Sequence, residues 1–210
     1  MRYKNIEALL RTKIQQCKQT YFIFAGSKRH MMSNMFNSPS KPFYQSTISM
    51  GLAPIPMDTY IEFAIHLFEE RGKQLSRELA EKVYRKFNGC TWFIQMMMNE
   101  LFAQTEQGEL CDITRLEEAE KNVILAQEGS YKDLLAHLAP KQKFILQAIA
   151  KEGITRNVTS SAFIKKYNLP SASSVQSAIK GLLKNDLITL EEGTYRIYDY
   201  FFSEWLARDY

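Results

Sequence analysis

Thr20-Tyr21-Phe22-Ile23-Phe24-Ala25-Gly26, followed by the polar cluster Ser27-Lys28-Arg29-His30, is the stretch on which the reading of the fold turns. A continuous β-branched and aromatic run of this kind belongs to a strand buried on both faces, as in a parallel sheet. Parallel neighbours require βαβ crossovers of a dozen or more residues each. Only nineteen residues precede the run, and no other comparably apolar strand lies among them. The pattern therefore predicts an interior strand without its sheet, preceded by a helix over residues 4–17 that sets Ile6, Leu9, Leu10 and Ile14 on one face. The chain reads as the second half of something larger.

The longer string FIFAGSKRHMMSNMFNSPSKPFY, residues 22–44, resembles the segment after the catalytic acidic strand in P-loop ATPases of the signal-transduction (STAND) and archaeal-type AAA+-related group. In that group the polar residue ending this strand senses the terminal phosphate. The resemblance therefore implies a phosphate-sensing role for Ser27, whereas its chemistry alone reads as a cap for the turn over residues 28–35. Lys28 and Arg29 would approach a triphosphate or a neighbouring subunit, although adjacent cations in an exposed turn are usually solvated.

The parts that would hold the nucleotide are not encoded. There is no Gly-x-x-x-x-Gly-Lys-Ser/Thr run and no apolar strand ending in paired acidic residues. A phosphate cradle needs consecutive backbone N–H groups and a Lys, and magnesium needs a hydroxyl and a carboxylate. ATP and magnesium are implied for the intact family. No cofactor is expected for this chain alone, nor is hydrolysis. The implied partner is a missing N-terminal P-loop half or another protein chain, with Met1 falling a few residues after the point where the acidic strand would end.

Residues 33–56 are rich in Asn, Ser, Pro and Gly and read as a loop between subdomains. Four helices then follow in about 75 residues. The first runs from Asp58 to Glu70, the second is capped by Ser76 and ends at Asn88-Gly89, the third covers residues 91–104, and the fourth, capped by Asp112, covers 113–127. The segment EFAIHLFEERGKQLSRELAEKVYRKFNGCTWFIQMMMNEL, residues 62–101, is similar to the lid of the same ATPases, where a Gly-x-Pro turn borders the adenine. Gly89 and Thr91 occupy that turn here, with Thr91 in place of the proline. Met96-Met97-Met98 read as lid core rather than as an adaptable groove.

After Ser130 the pattern becomes that of a winged helix-turn-helix. Helices are expected over 131–138, 141–151, 161–167 and 172–185, then strands over 187–190 and 194–197 joined by Glu191-Glu192-Gly193. The ending from Tyr195 to Leu206 resembles the closing segment of these ATPases, a wing strand leading into a helix packed back on the module. The expected fold is mainly α with small β: a remnant αβ unit of a P-loop domain over 1–52, a helical lid over 53–128, and a winged helix-turn-helix over 129–210.

Were the module to bind DNA, helix 172–185 would be the reader. Val175, Ala178, Ile179, Leu182 and Leu183 face inward, leaving Ser173, Ser174, Gln176, Ser177, Lys180 and Lys184 outside. Two lysines are few for a ligand whose affinity comes from phosphate contacts, and the wing tip carries Glu191 and Glu192. Packing or contact with a protein partner is the preferred use. The alternative is a DNA-binding or protein-binding module acting without nucleotide.

Charge is graded along the chain. Residues 1–50 carry eight Lys and Arg against one acid, for +7; residues 51–130 carry eight against fourteen, for −6; residues 131–210 carry eleven against eight, for +3. Cys17, Cys90 and Cys111 are isolated and read as reduced thiols, and His30, His66 and His137 stand at no metal-ligand spacing. No apolar run reaches the ~20 residues of a membrane helix, and no signal-peptide core is present, so a cytoplasmic location is expected.

Overall fold

The computed structural model describes residues 5–26 and 29–209, in two units divided after Ala53. In the first unit, helix α1 spans Ile6–Gln16 and helix α2 spans Arg29–Asn37. The expected strand is not formed. Residues 20–26 form no regular element and belong to no sheet, with Tyr21 100% and Ile23 94% exposed. A strand needs an adjacent strand to satisfy its N–H and C=O groups, and no described residue supplies one. The unit is held instead by a small aromatic cluster. Phe24 lies 5.1 Å from Phe36 and 5.6 Å from Phe43, centroid to centroid, and the latter two are buried. Glu7 of α1 also pairs with Lys41 at 3.1 Å, while α1 itself buries no residue.

The second unit begins with α3 (Met57–Glu69), α4 (Arg77–Lys86) and α5 (Thr91–Gln104). Between them a two-residue strand β1 (Gln74–Leu75) pairs in parallel with β2 (Leu110–Cys111). Amphipathic faces bring Ile61, Leu79, Val83, Ile94, Met97 and Leu101 into full burial. Met97 and Met98 are core, and Met96 is partly buried against it.

A 3₁₀ turn at Ile113–Arg115, capped by the Asp112 carboxylate accepting from the Thr114 N–H at 3.0 Å, leads into α6. This helix runs unbroken from Leu116 to Ala136. The expected break near residue 128 is therefore a correction. Gly129 sits exposed in mid-helix, where it costs only about 1 kcal/mol relative to Ala, and the next turn buries Tyr131 and Leu135. The lid and the following module share one helix.

The winged helix then follows as α7 (Pro140–Glu152), α8 (Ser161–Lys166), α9 (Ala172–Lys184), β3 (Ile188–Glu191), β4 (Thr194–Ile197) and α10 (Tyr200–Asp209). Pro140 opens α7, where its missing N–H is harmless. Ser160 and Ser171 cap α8 and α9 through their hydroxyls. The β3–β4 hairpin turns at Glu192 and Gly193, with φ of 50° and 76°, the left-handed pair that a two-residue turn needs. Thr155 adds one antiparallel bridge to Tyr195 on the free edge of β4.

Candidate functional site

The junction between lid and winged helix is built largely from aromatic side chains. From α10, Phe201 lies 5.4 Å from Phe87 and 5.7 Å from Phe93, and Tyr200 meets Phe87 edge-on at 4.8 Å. On its other side, α10 sets Phe202 and Trp205 against Tyr131 of α6, at 5.1 and 5.6 Å. Phe201 and Trp205 are essentially inaccessible, at 0% and 1% exposure. Aromatic rings at these separations prefer such tilted and edge-on arrangements and fix orientation as well as contact. The result is one continuous apolar core from α3 to α10.

A buried carboxylate ties the same helices electrostatically. Glu120 of α6 is 4% exposed, with the Lys86 ammonium of α4 at 2.8 Å and the Arg208 guanidinium of α10 at 3.8 Å. Lys86 also stands 5.6 Å over the Tyr200 ring. Burial, followed by the negative charges of Glu120 and Glu204, pushes the Tyr200 hydroxyl well above its ordinary range. At the start of α10, the Asp199 carboxylate accepts from the Phe202 N–H at 3.0 Å, and burial raises its pKa.

The nucleotide-site residues are scattered. Ser27 and Lys28 lie outside the described residues, and Arg29 is described only as part of α2. Gly89 is buried at the end of α4 with φ of 72°, and a side chain there would meet Pro54 at 2.7 Å and the Tyr84 hydroxyl at 2.8 Å. Tyr84 itself donates to the Ile55 carbonyl. The turn beside exposed Thr91 is thus filled by the chain's own side chains. Three acidic residues of the lid are held by one cation: Arg77 pairs with Asp58 at 2.6 Å, Glu62 at 2.5 Å and Glu81 at 3.3 Å. Among the described residues no group of three or more His, Cys, Asp or Glu is placed to hold a metal.

On α9, Gln176, Ser177, Lys180 and Lys184 are exposed, whereas Ser174 is half-buried with its hydroxyl oxygen enclosed. A shallow cleft of about 560 Å³ runs along the start of α9, lined by Ser171, Ser173, Ser174 and Ser177 with Lys141 and Gln142 of α7. At the wing, Glu191 pairs with Arg196 at 2.8 Å, and Glu192 remains exposed at the turn. The α10 aromatics fall within residues 195–206, the closing segment whose resemblance implies a helix packed back on the module. Glu120 was not singled out from sequence, since a Glu in a charged helix gives no signal.

Residues 129–208 match the family model of a probable winged helix domain. No curated protein matches the sequence. Among solved structures, the chain is similar to a Walker-type ATPase of Pyrococcus abyssi, with a TM-score of 0.54 and 20% identity, covering 79% of this chain and 46% of that one. The chain thus spans less than half the length of that protein. No helix among the described residues is long and apolar enough to cross a membrane. The fold is that of a helical lid continued into a winged helix, and it is shared with a Walker-type ATPase.

Proposed function

We propose that this chain is the lid and winged-helix part of a nucleotide-dependent switch of the STAND or AAA+-related kind, working beside a P-loop half that supplies the phosphate cradle and the magnesium carboxylate. Alone, it neither binds nor hydrolyses ATP. The observation that supports this reading is the fusion of lid to winged helix through unbroken α6 and the α10 aromatics. A ligand drives a switch only as far as it favours one of two states. A lid that closed over nucleotide while loosely tethered would leave the winged helix unmoved. A lid that shares a core with the winged helix carries that module with it, and presents or withdraws its outer face to a protein partner. The cytoplasm is the compartment that suits such a switch.

The two tryptophans report separately on the two halves: Trp92 opens α5 of the lid and Trp205 lies in α10. In Trp92→Phe and Trp205→Phe single-tryptophan variants, urea unfolding followed by fluorescence should coincide with the transition followed by circular dichroism. Separate transitions for lid and winged helix would remove the lever on which this reading depends.

A further inference from the structure

The wing is a layer of three strand segments. Thr155 lies beside Tyr195 on β4, donating to its carbonyl at 3.0 Å and accepting from its N–H at 2.7 Å, and β3 lies on the other side of β4. Side chains alternate between the two faces of such a layer. Thr155 and Ile197 turn inward and are buried. Arg196 and its register partner Thr189 therefore turn outward, together with Ile154, Arg156, Thr194 and Tyr198. The hydrogen bonds follow the same layer: Arg156 donates from Nε to Thr194 Oγ1 at 3.1 Å, and Arg196 from Nε to Thr189 Oγ1 at 3.3 Å. On this outer face Ile154 is 72% and Tyr198 58% exposed.

The two guanidiniums differ. Arg196 turns its fork onto Glu191 at 2.8 Å. Arg156 is held at Nε alone, and its terminal N–H groups have no partner among the described residues. A planar fork anchored in this way meets a carboxylate through two parallel bonds. Charge decides between occupants. A polyanion is disfavoured, because Glu191 lies on this face opposite Thr194 and exposed Glu192 stands at the turn. A second copy is disfavoured as well: Glu191, the carboxylate that the face carries, is engaged by Arg196, which leaves two Arg156 forks of like charge to meet. We infer that the outer face of the wing sheet docks a protein partner through a segment in which an Asp or Glu stands between apolar residues. The Arg156 fork receives the carboxylate, and the apolar side chains cover Ile154 and Tyr198. This rests on the reading that the winged helix presents its outer face to a protein partner, and it names the face and the partner's chemistry.

The probe is a fluorescein-labelled peptide of about twelve residues in which Asp alternates with Leu, with a Lys/Leu peptide of the same length as control; anisotropy is read on the full chain at about 0.1 M salt. The Asp/Leu peptide should bind at least about tenfold more tightly than the Lys/Leu peptide, and Arg156→Glu should weaken it at least about tenfold. Arg156→Lys, which keeps the charge and loses the fork, should recover only part of that loss. Ile154→Ser should weaken binding by a smaller factor, and Lys165→Glu, exposed on α8, should leave it unchanged. All four side chains substituted or tested are exposed or held at one point only, and an unchanged urea midpoint shows each variant to be folded. Equal binding of the two peptides, or Asp/Leu binding indifferent to Arg156→Glu, would overturn the inference. So would Arg156-dependent binding of an oligothymidylate, or an Arg156-dependent dimer in sedimentation. A negative peptide result beside a single unfolding transition removes this docking face and leaves the coupled lid and winged helix standing; separate transitions with peptide binding retained do the reverse.

Discussion

Phe201→Ala tests whether lid and winged helix are one body. Phe201 is 0% exposed and touches rings on both Phe87 and Phe93 of the lid. Truncating a buried Phe to Ala removes its transfer free energy and leaves a cavity, for about 3–5 kcal/mol. Domains of ordinary stability hold about 5–15 kcal/mol, so the variant should remain folded at 25 °C. At about 2–4 °C per kcal/mol for a chain of this size, Tm should fall by roughly 6–20 °C. Urea denaturation should then show one transition displaced for both tryptophan reporters. A double-mutant cycle with Phe87→Ala should return a coupling of about 0.5–1.5 kcal/mol, the range for aromatic pairs. The control is Phe63→Ala, half exposed on α3, which should change stability by less than about 1 kcal/mol. A loss under about 1 kcal/mol for Phe201→Ala, or a shift confined to the Trp205 reporter, would refute the shared core.

Glu120→Ala should destabilise by about 1–3 kcal/mol, less than a fully buried pair because Lys86 retains access to water, and thermal melts at low and high salt should show the loss to be nearly salt-independent. Burial raises the Tyr60 hydroxyl, which donates to Gln95 at 2.7 Å, to about 12, and Tyr131 and Tyr200 move the same way. Since the folded chain holds these protons more tightly than the unfolded chain, whose tyrosines titrate near pH ~10, their contribution is intact below that value and lost as pH rises through about 12; urea midpoints should be flat between pH ~7 and ~9 and fall above ~10. Calorimetry of the isolated chain at millimolar Mg-ATP should give no saturable heat, because no phosphate cradle is encoded, and a saturable isotherm would contradict that. Duplex DNA at about 50 mM salt should not be retarded by the chain at micromolar concentration, given two exposed lysines on α9 and acidic residues at the wing; a salt slope of four or more phosphate contacts would reverse the reading of that surface.

Local chemistry made much of the second unit legible. The bounds of α5, the Pro140 start of α7, the Ser160 and Ser171 caps and the Glu192-Gly193 turn each follow from a residue type with one strong backbone preference, and such preferences act within a few residues of the chain. The inward face of α9 was readable for the same reason, since a period of 3.6 is a local property. Ser174 was the exception: it lies on the outer face by periodicity, yet its hydroxyl oxygen is enclosed at the cleft beside α7.

Three features depended on contacts between distant parts of the chain. Gly129-Ser130 reads as a helix end, but α6 continues because Tyr131 and Leu135 gain a buried face against α10, which outweighs one glycine. The β1–β2 pair joins residues 36 apart through two residues on each side, too short for any periodic signal. The junction of Phe87, Phe93, Tyr131 and Glu120 with α10 exists only once four helices meet. Residues 20–26 show the converse. Their composition specifies a strand buried on both faces, but a strand is completed by neighbours, and with none among the described residues Tyr21 and Ile23 lie in solvent. Composition and spacing determined which segments prefer helix, turn or strand; tertiary structure alone decided which of them are covered, because burial and sheet pairing are properties of two segments and not of one.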